Sequence, residues 1–317
     1  MFAAKIKSKL QYLRAIKKAS KPQDLSRRRV KYLAVASPSH GSLAKLKEEL
    51  EEQEELGNPQ NHSKSEVQSW HHKLDIKYKT VKLKTNKRIL SMVEAKQQLK
   101  KLGLTSKYLN FVRKKYHLFS RFDEGTLLDP ESWYSVTPEP IAEYIAKKYK
   151  NQSVLDAFCG SGGNSIQFAR YSDHVTCIDI DPIKLQNLKH NARIYGVLHK
   201  LEPVQTNFLK FKAPASKKFD LVCLAPPWGG TEYDRNAFDL RKGITPNFDA
   251  IMKKSLEFGC KAVWILPRST MQNQFVEILK ENLPSTALGK KNYTIEFENL
   301  YINDRFLEVA IWVTWKA

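Results

Sequence analysis

Three short stretches carry residue types and spacings that could do chemistry. The hexapeptide "APPWGG" (Ala225–Gly230) directly follows the apolar run "DLVCL" (Asp220–Leu224). Neither Pro226 nor Pro227 can donate a ladder N–H, so strand pairing stops there and Trp228 is held at the rigid carboxyl end of a strand. In open α/β sheets that end is where ligands bind. The second stretch, "DAFCGSGGN" (Asp156–Asn164), follows one apolar strand and opens a helix. Its glycines let backbone approach a ligand closely, and the helix start offers unpaired N–H groups. The third feature is Asp179, 19 residues beyond Gly160 at the end of the next strand. A carboxylate at that distance can accept both hydroxyls of a ribose.

Glycine turn plus acid points to an adenosine-type ligand, and two ligands compete for it. The dinucleotide pattern GxGxxG would start at Gly160 but meets Ser165 at its last place. Asp156, four residues ahead of Gly160, suits the methionine ammonium of S-adenosylmethionine and would repel a pyrophosphate. It also reads as a satisfied polar cap on the strand end. Asn207 is placed to meet an adenine edge, or stands as an ordinary loop residue.

The elements that must position these residues begin at Ser153. "VLDAF", "VTCIDI", "EPVQTNF", "FDLVCLA" and "KAVWILP" read as strands alternating with helices, among them "DPIKLQNLKHNARIYG" with Leu185, Leu188, Ala192 and Tyr195 on one side. "YTIEFENLYI" and "RFLEVAIWVTW", separated by Asn303–Asp304, read as a hairpin. The expected fold is α/β: a doubly wound Rossmann-like sheet ending in an antiparallel hairpin, with a basic, mainly helical N-terminal extension. The expected division is an extension over 1–104, a helical covering segment over 105–152 and the catalytic-type domain over 153–317. Within the covering segment, Thr105 would cap a helix, and Thr137 would cap a second one with Pro138 at its first position. Tyr108, Phe111, Tyr116 and Phe119 alternate with Lys107, Arg113, Lys114, Lys115 and Arg121. They read as a core face, or as an RNA contact through interleaved cations and aromatics.

Lys and Arg outnumber Asp and Glu by 53 to 33, and residues 1–47 hold 13 of those cations against Asp24 alone. Such an excess points to a polyanionic partner, nucleic acid before membrane. The N-terminal run lacks acids through Lys21 and has an apolar helical face, as in a mitochondrial transit peptide. A nuclear or RNA-binding helix followed by "SRRRVK" fits equally. "LAKLKEELEEQEEL" (Leu43–Leu56) reads as a helix with a solvated face, and 57–68 as a linker. No apolar run reaches membrane-spanning length. Cys159, Cys177, Cys223 and Cys260 form no CxxC pair, and no histidine has a partner at ligand spacing, so neither a metal site nor a disulfide framework is expected.

The chain closely resembles the trimethylguanosine synthases from about Leu118 to Arg268. The resemblance rests on "LFSRFDEG", "WYSVTPEPIAEYIA", "VLDAFCGSGGNSIQFA", "IDIDPIKL", "NARIYGV", "APPWGG" and "LPR". It implies S-adenosylmethionine-dependent methylation of N2 of the 7-methylguanosine cap on small nuclear and nucleolar RNAs, in the nucleus and nucleolus, beside the proteins of those particles. It implies that Thr137, Asp156, Cys159, Gly160, Gly162, Asp179 and Asn207 hold the cofactor. Trp228 would stack on the methylated guanine and the Pro226 carbonyl would accept from the target amine, within the catalytic stretch Ala225, Pro226, Pro227 and Trp228. Tyr233 and Arg268 would meet the cap phosphates, assisted by basic residues such as Lys107 and Arg113. Ala225 departs from the family, where Ser is common before the prolines. A methyltransferase of an internal RNA base, and a non-catalytic RNA-binding adaptor, stand as the alternatives.

Overall fold

The computed structural model describes residues 74–150, 152–214, 217, 219–230, 233–259, 261–283 and 293–315. The basic arm, the Leu43–Leu56 helix and the 57–68 linker lie outside the described residues. At the centre is one eight-stranded sheet built from β1 (Asp75–Leu83), β2 (Ser153–Asp156), β3 (His174–Asp179), β4 (Leu201–Gln205), β5 (Leu221–Leu224), β6 (Lys261–Pro267), β7 (Tyr293–Ile302) and β8 (Arg305–Trp315). Its order is β1-β7-β8-β6-β5-β2-β3-β4. β8 pairs antiparallel with β6 and β7, while the other pairings are parallel.

Strands covered on both faces need apolar side chains on both, which is why β5 and β6 read as unbroken apolar runs. Val154, Cys223 and Val263 face one core, with Ile141 and Ile145 of α5 (Glu139–Lys147), Ile166 of α6 (Gly163–Tyr171) and Leu188 of α7 (Pro182–Ile194). Leu155, Val222 and Trp264 face the other, with Phe248 of α9 (Phe248–Ser255) and Phe275 of α10 (Gln272–Asn282). The hairpin turns through Asn303 and Asp304 at φ 48° and 64°, the two-residue geometry in which Asn and Asp are tolerated. Buried Glu298 of β7 accepts from Tyr144 Oη (2.9 Å), Lys148 Nζ (2.6 Å) and Trp312 Nε1 (2.7 Å), which ties α5 to the hairpin.

Three expectations are corrected. Residue 104 is not the edge of the folded body, because β1 pairs with β7 in register from Asp75↔Thr294 to Leu83↔Ile302. Its "DIKYKTVKL" is polar because an edge strand is open to water on one side. The stretch after Thr105 is not one capped helix. A 3-10 turn at Ser106–Tyr108 leads into α2 (Leu109–Arg113) and α3 (Lys115–Leu118), broken at Lys114, and Thr105 makes no side-chain cap. Tyr108 and Phe119 are buried and Phe111 and Tyr116 pack against the core, so the aromatic spacing is the core face. Finally, Pro138 rather than Thr137 occupies the cap of α5, and the Thr137 hydroxyl is used elsewhere. The two remaining helices before β2 are α1 (Met92–Leu102) and α4 (Ser132–Ser135); α8 (Leu240–Gly243) precedes α9.

Candidate active site

β2 sits between β3 and β5, so the chain order reverses at the β2/β5 boundary and a crevice opens beyond the carboxyl ends there. The crevice is a cavity of about 590 Å³. One wall comes from the glycine turn and the ends of β3 and β4, the other from Ala225–Gly230, with the segment around α4 as its cover. A pocket of that size matches those that take a nucleotide-sized ligand.

The turn is folded around Asp179. Gly160 N–H donates to Oδ2 at 2.9 Å and Asp181 N–H to Oδ1 at 2.9 Å, so both carboxylate oxygens are fixed and keep free lone pairs. Burial pushes the Asp179 carboxyl above its ordinary pKa. Gly160 has φ +51° and lies on the wall, and a Cβ there would meet nothing within 4 Å. Gly162 has φ +98°, and a Cβ would come within 3.1 Å of Ile166 Cδ1, so the turn needs glycine for packing as well as for conformation. Behind the turn, Ser161 Oγ donates to Asp129 Oδ2 (3.1 Å) and lies 2.8 Å from Ser132 Oγ, and Asn191 Nδ2 donates to Ser161 O (2.9 Å). This buried polar network joins the turn, α4 and α7.

Thr137 lies on the wall, and its Oγ1 accepts from Asn164 Nδ2 at 3.1 Å. Asn164, also on the wall, keeps Oδ1 buried without a partner. Asn207 lines the cavity with Oδ1 taken by Leu209 N–H (2.9 Å), which leaves its amide nitrogen to donate. Cys159 lines it too, as a neutral thiol whose pKa burial pushes well up. Asp156 does not line it. The residue is fully buried behind the turn, with Oδ2 accepting from Ser165 Oγ at 2.5 Å and Oδ1 unpartnered. Burial pushes its pKa up to about 6. Asp156 thus stands behind the turn rather than on the wall, in the position of a polar cap on the strand end.

On the opposite wall, Ala225 to Gly230 all face the cavity. Pro227 O accepts from Thr245 N–H at 3.3 Å, whereas the Pro226 carbonyl has no partner among the described residues. Gly230 has φ +69°, and a Cβ there would lie 2.6 Å from Tyr134 Cε2. Trp228 is half-buried and stands edge-to-face on Tyr233, with centroids 5.0 Å apart at 88°. Tyr233 in turn abuts Phe238 at 5.9 Å. Tyr233 is off the cavity wall, and its ring buttresses Trp228.

Three proposed phosphate ligands are not brought to the cavity. Arg268 is exposed beyond β6 and Lys107 lies over Tyr108, while Arg113 Nε donates to Leu90 O at 3.2 Å. The cavity also has walls that sequence reasoning passed over: Tyr134, Ile180, Phe208 and Lys184, whose Nζ pairs with Glu131 at 3.0 Å. Ile180 is 67% exposed, anomalous for its type, and its place next to Asp179 was the available signal. Among the described residues no group of His, Cys, Asp and Glu could hold a metal, and no helix is long and apolar enough to cross a membrane.

A doubly wound sheet with a glycine turn, a ribose-type acid and a proline–aromatic strand end defines the class: a nucleotide-cofactor methyltransferase fold. The profile of the RNA cap guanine-N2 methyltransferase family matches residues 151–303. The trimethylguanosine synthase of Schizosaccharomyces pombe is 42% identical over 165 residues, covering 49% of this chain and 69% of that one. That of Saccharomyces cerevisiae is 32% identical over 215 residues, covering 64% and 67%. A release factor glutamine methyltransferase of Clostridium botulinum is 26% identical over 217 residues, covering 64% and 68%. The chain belongs to the RNA cap guanine-N2 methyltransferase family. It is an S-adenosylmethionine-dependent enzyme acting on guanosine N2 of an RNA cap.

Proposed function

We propose that the enzyme converts the 7-methylguanosine cap of small nuclear and nucleolar RNAs to the 2,2,7-trimethyl form, in the nucleus and its nucleolus. The observation that carries the residue assignment is the unpartnered Pro226 carbonyl on the same wall as the half-buried Trp228 ring. When bound, S-adenosylmethionine supplies an electrophilic methyl group. Asp179 holds the ribose hydroxyls through the lone pairs left after Gly160 and Asp181, while Ile180 and Phe208 flank the adenine and the Asn207 amide meets its edge. Thr137 and Asn164, hydrogen-bonded to each other, line the same wall, and Gly160 gives the ligand room.

On the acceptor side, the Pro226 carbonyl accepts a hydrogen bond from N2–H and thereby points the nitrogen lone pair along the in-line path, and the proton that N2 sheds on methylation passes to solvent. No side chain in "APPWGG" can take a proton, so this wall works by orientation and electrostatics. Trp228 stacks on the guanine. The 7-methyl group gives that base a positive charge, and the cation–π attraction adds about 2 kcal/mol when desolvated. Stacking itself contributes roughly 1–3 kcal/mol. Tyr233 keeps the Trp228 ring in place rather than touching phosphate.

The test is transfer of labelled methyl to the 7-methylguanosine cap dinucleotide and to its unmethylated counterpart. Labelling of the first at N2, with the second slower by about tenfold or more, supports the reading. Equal labelling of both would remove the charge-based role of Trp228.

A further inference from the structure

Some cations on the sheet's outer strands and the helices beside them are matched to an acid. Lys77 pairs with Asp75, Lys79 with Glu298, Lys82 with Asp304, Arg88 with Glu94 and Lys115 with Asp123. One group is not. Lys87, Lys114 and Arg305 form no ion pair among the described residues, and His117, 8% exposed, keeps Nδ1 buried without a partner. These groups feel one another. Burial and the charges of Arg305 and Arg113 depress the Lys114 pKa, and burial with the charges of Lys114 and Lys87 depresses that of His117. The acids nearest in sequence do not relieve them: Asp304 is engaged by Lys82, and Glu308 keeps Oε2 buried and unpartnered.

The cluster is held by backbone rather than by chance. Asn303 Oδ1 accepts from Thr85 N–H (3.0 Å), Asn303 Nδ2 donates to Thr85 O (2.9 Å) and Asn303 N–H to Leu83 O (3.0 Å), which locks the hairpin turn before Arg305 onto the segment leading to Lys87. Leu90 N–H donates to Arg113 O at 2.9 Å and fixes that segment to the α2–α3 break where Lys114 sits. β1 and β7 run parallel to each other, and β7 and β6 both run against β8, so Leu83, Ile302 and Pro267 end at the edge of the sheet where Trp228 stands. Along that edge the order is β5, β6, β8. The step from β5 to β8 is roughly 10 Å at ordinary strand spacing. Exposed Arg268 lies at the end of β6, between the two.

We propose that Lys87, Lys114 and Arg305, backed by buried His117, form a phosphodiester site that takes the RNA chain beyond the cap. Unmatched cations gathered beside a buried ring nitrogen fit a phosphate, whose oxygens accept from Lys87, Lys114 and Arg305 and supply the missing counter-charge. The inference rests on the cap reading above and deepens it: the cavity selects the methylated guanine, and the edge cluster distinguishes a cap on an RNA chain from a free cap.

The test compares the full-length protein with its Lys114→Gln/Arg305→Gln variant on two acceptors, the methylated cap dinucleotide and a capped single-stranded oligonucleotide. Kinetics and the salt dependence of oligonucleotide binding are both read. Two lost phosphate contacts should lower the slope of log K against log salt by about 1.4. KM for the oligonucleotide should rise by roughly tenfold at moderate salt, with dinucleotide turnover unmoved and Arg305→Lys close to the parent. Equal losses on both acceptors, or an unaltered slope, would overturn the proposal. Were the parent to methylate neither acceptor, the cap reading would fail on its own. The salt slope of oligonucleotide binding would then still decide the phosphodiester site.

Discussion

The two walls of the cavity are built on different physics. The cofactor wall is held by polar groups that satisfy one another: Asp179 with Gly160 and Asp181, Ser161 with Asp129 and Ser132, Asn164 with Thr137. The acceptor wall is held by contact between rings and bare backbone: Trp228 on Tyr233, Tyr233 on Phe238, and Tyr134 against Gly230. A wall that binds one invariant cofactor can be rigidly hydrogen-bonded in advance. On the proposed reading the second wall grips a flat cationic base and presents one acceptor to its amine, for which aromatic surface and a free carbonyl serve better. Changes on the acceptor wall should therefore reach turnover, and changes on the cofactor wall should reach cofactor affinity.

Trp228→Ala is the strongest test of that division. Stacking and cation–π attraction lost together amount to about 3–5 kcal/mol, so methyl transfer to the cap dinucleotide should fall by about two to nearly four orders of magnitude. S-adenosylmethionine affinity measured by calorimetry should stay within about twofold, and Trp228→Phe should keep part of the turnover because a ring remains. A calorimetric loss as large as the kinetic one would erase the distinction between the walls. Asp179→Ala is the mirror experiment. Charge-assisted hydrogen bonds contribute roughly 1.5–3 kcal/mol each, and two backbone N–H groups lose their acceptor as well. Cofactor affinity should drop by tenfold or more, whereas cap binding measured by quenching of the Trp228 fluorescence should hold; unchanged cofactor affinity would reject Asp179 as the ribose ligand.

How legible these walls were depends on how local each constraint is. Residues 160–179 could be read because a glycine turn, a helix start and an acid at the next strand end are set by nearby chain. The hairpin could be read because Asn303–Asp304 sits between two alternating runs. β1 could not, since its pairing partner lies more than two hundred residues away and its own edge position makes it polar. Direction was the second blind spot. Asp156 and Tyr233 have the residue types expected of ligand groups, but a side chain at a strand end or in a loop points wherever packing sends it. Asp156 points into the protein and Tyr233 behind Trp228. Tyr134 was hidden for the opposite reason, because only the absence of a Cβ at Gly230 reveals that the two segments touch.

That contact supplies a smaller test. Gly230→Ala places a Cβ 2.6 Å from Tyr134 Cε2 at φ +69°, so it should destabilise the protein by about 1–3 kcal/mol and displace the cover over the acceptor wall. The kinetic loss should be nearer tenfold than a thousandfold and should appear in kcat before cofactor affinity. Combining it with Tyr134→Ala should restore part of the stability in a denaturant midpoint series. If the two changes simply add, Tyr134 is not what Gly230 accommodates.

The mildest effect belongs to the residue behind the cofactor wall. Burial holds the Asp156 pKa at about 6 against an ordinary 3.8. The folded protein therefore holds that proton more tightly than the unfolded chain. The stabilisation is fully present below pH 4 and is lost as pH rises through 6, to a total on the order of 3 kcal/mol. Asp156→Asn carries no such proton, so its stability between pH 4 and 7 should be flatter than the parent's by that amount. Because Asp156 is off the cavity wall, S-adenosylmethionine affinity at pH 7 should change by less than about fivefold, the scale of one neutral hydrogen bond. Should Asp156→Asn instead abolish cofactor binding while the protein stays folded, the carboxylate would have to swing into the cavity when ligand arrives. The two walls would then no longer differ in how far they are preformed.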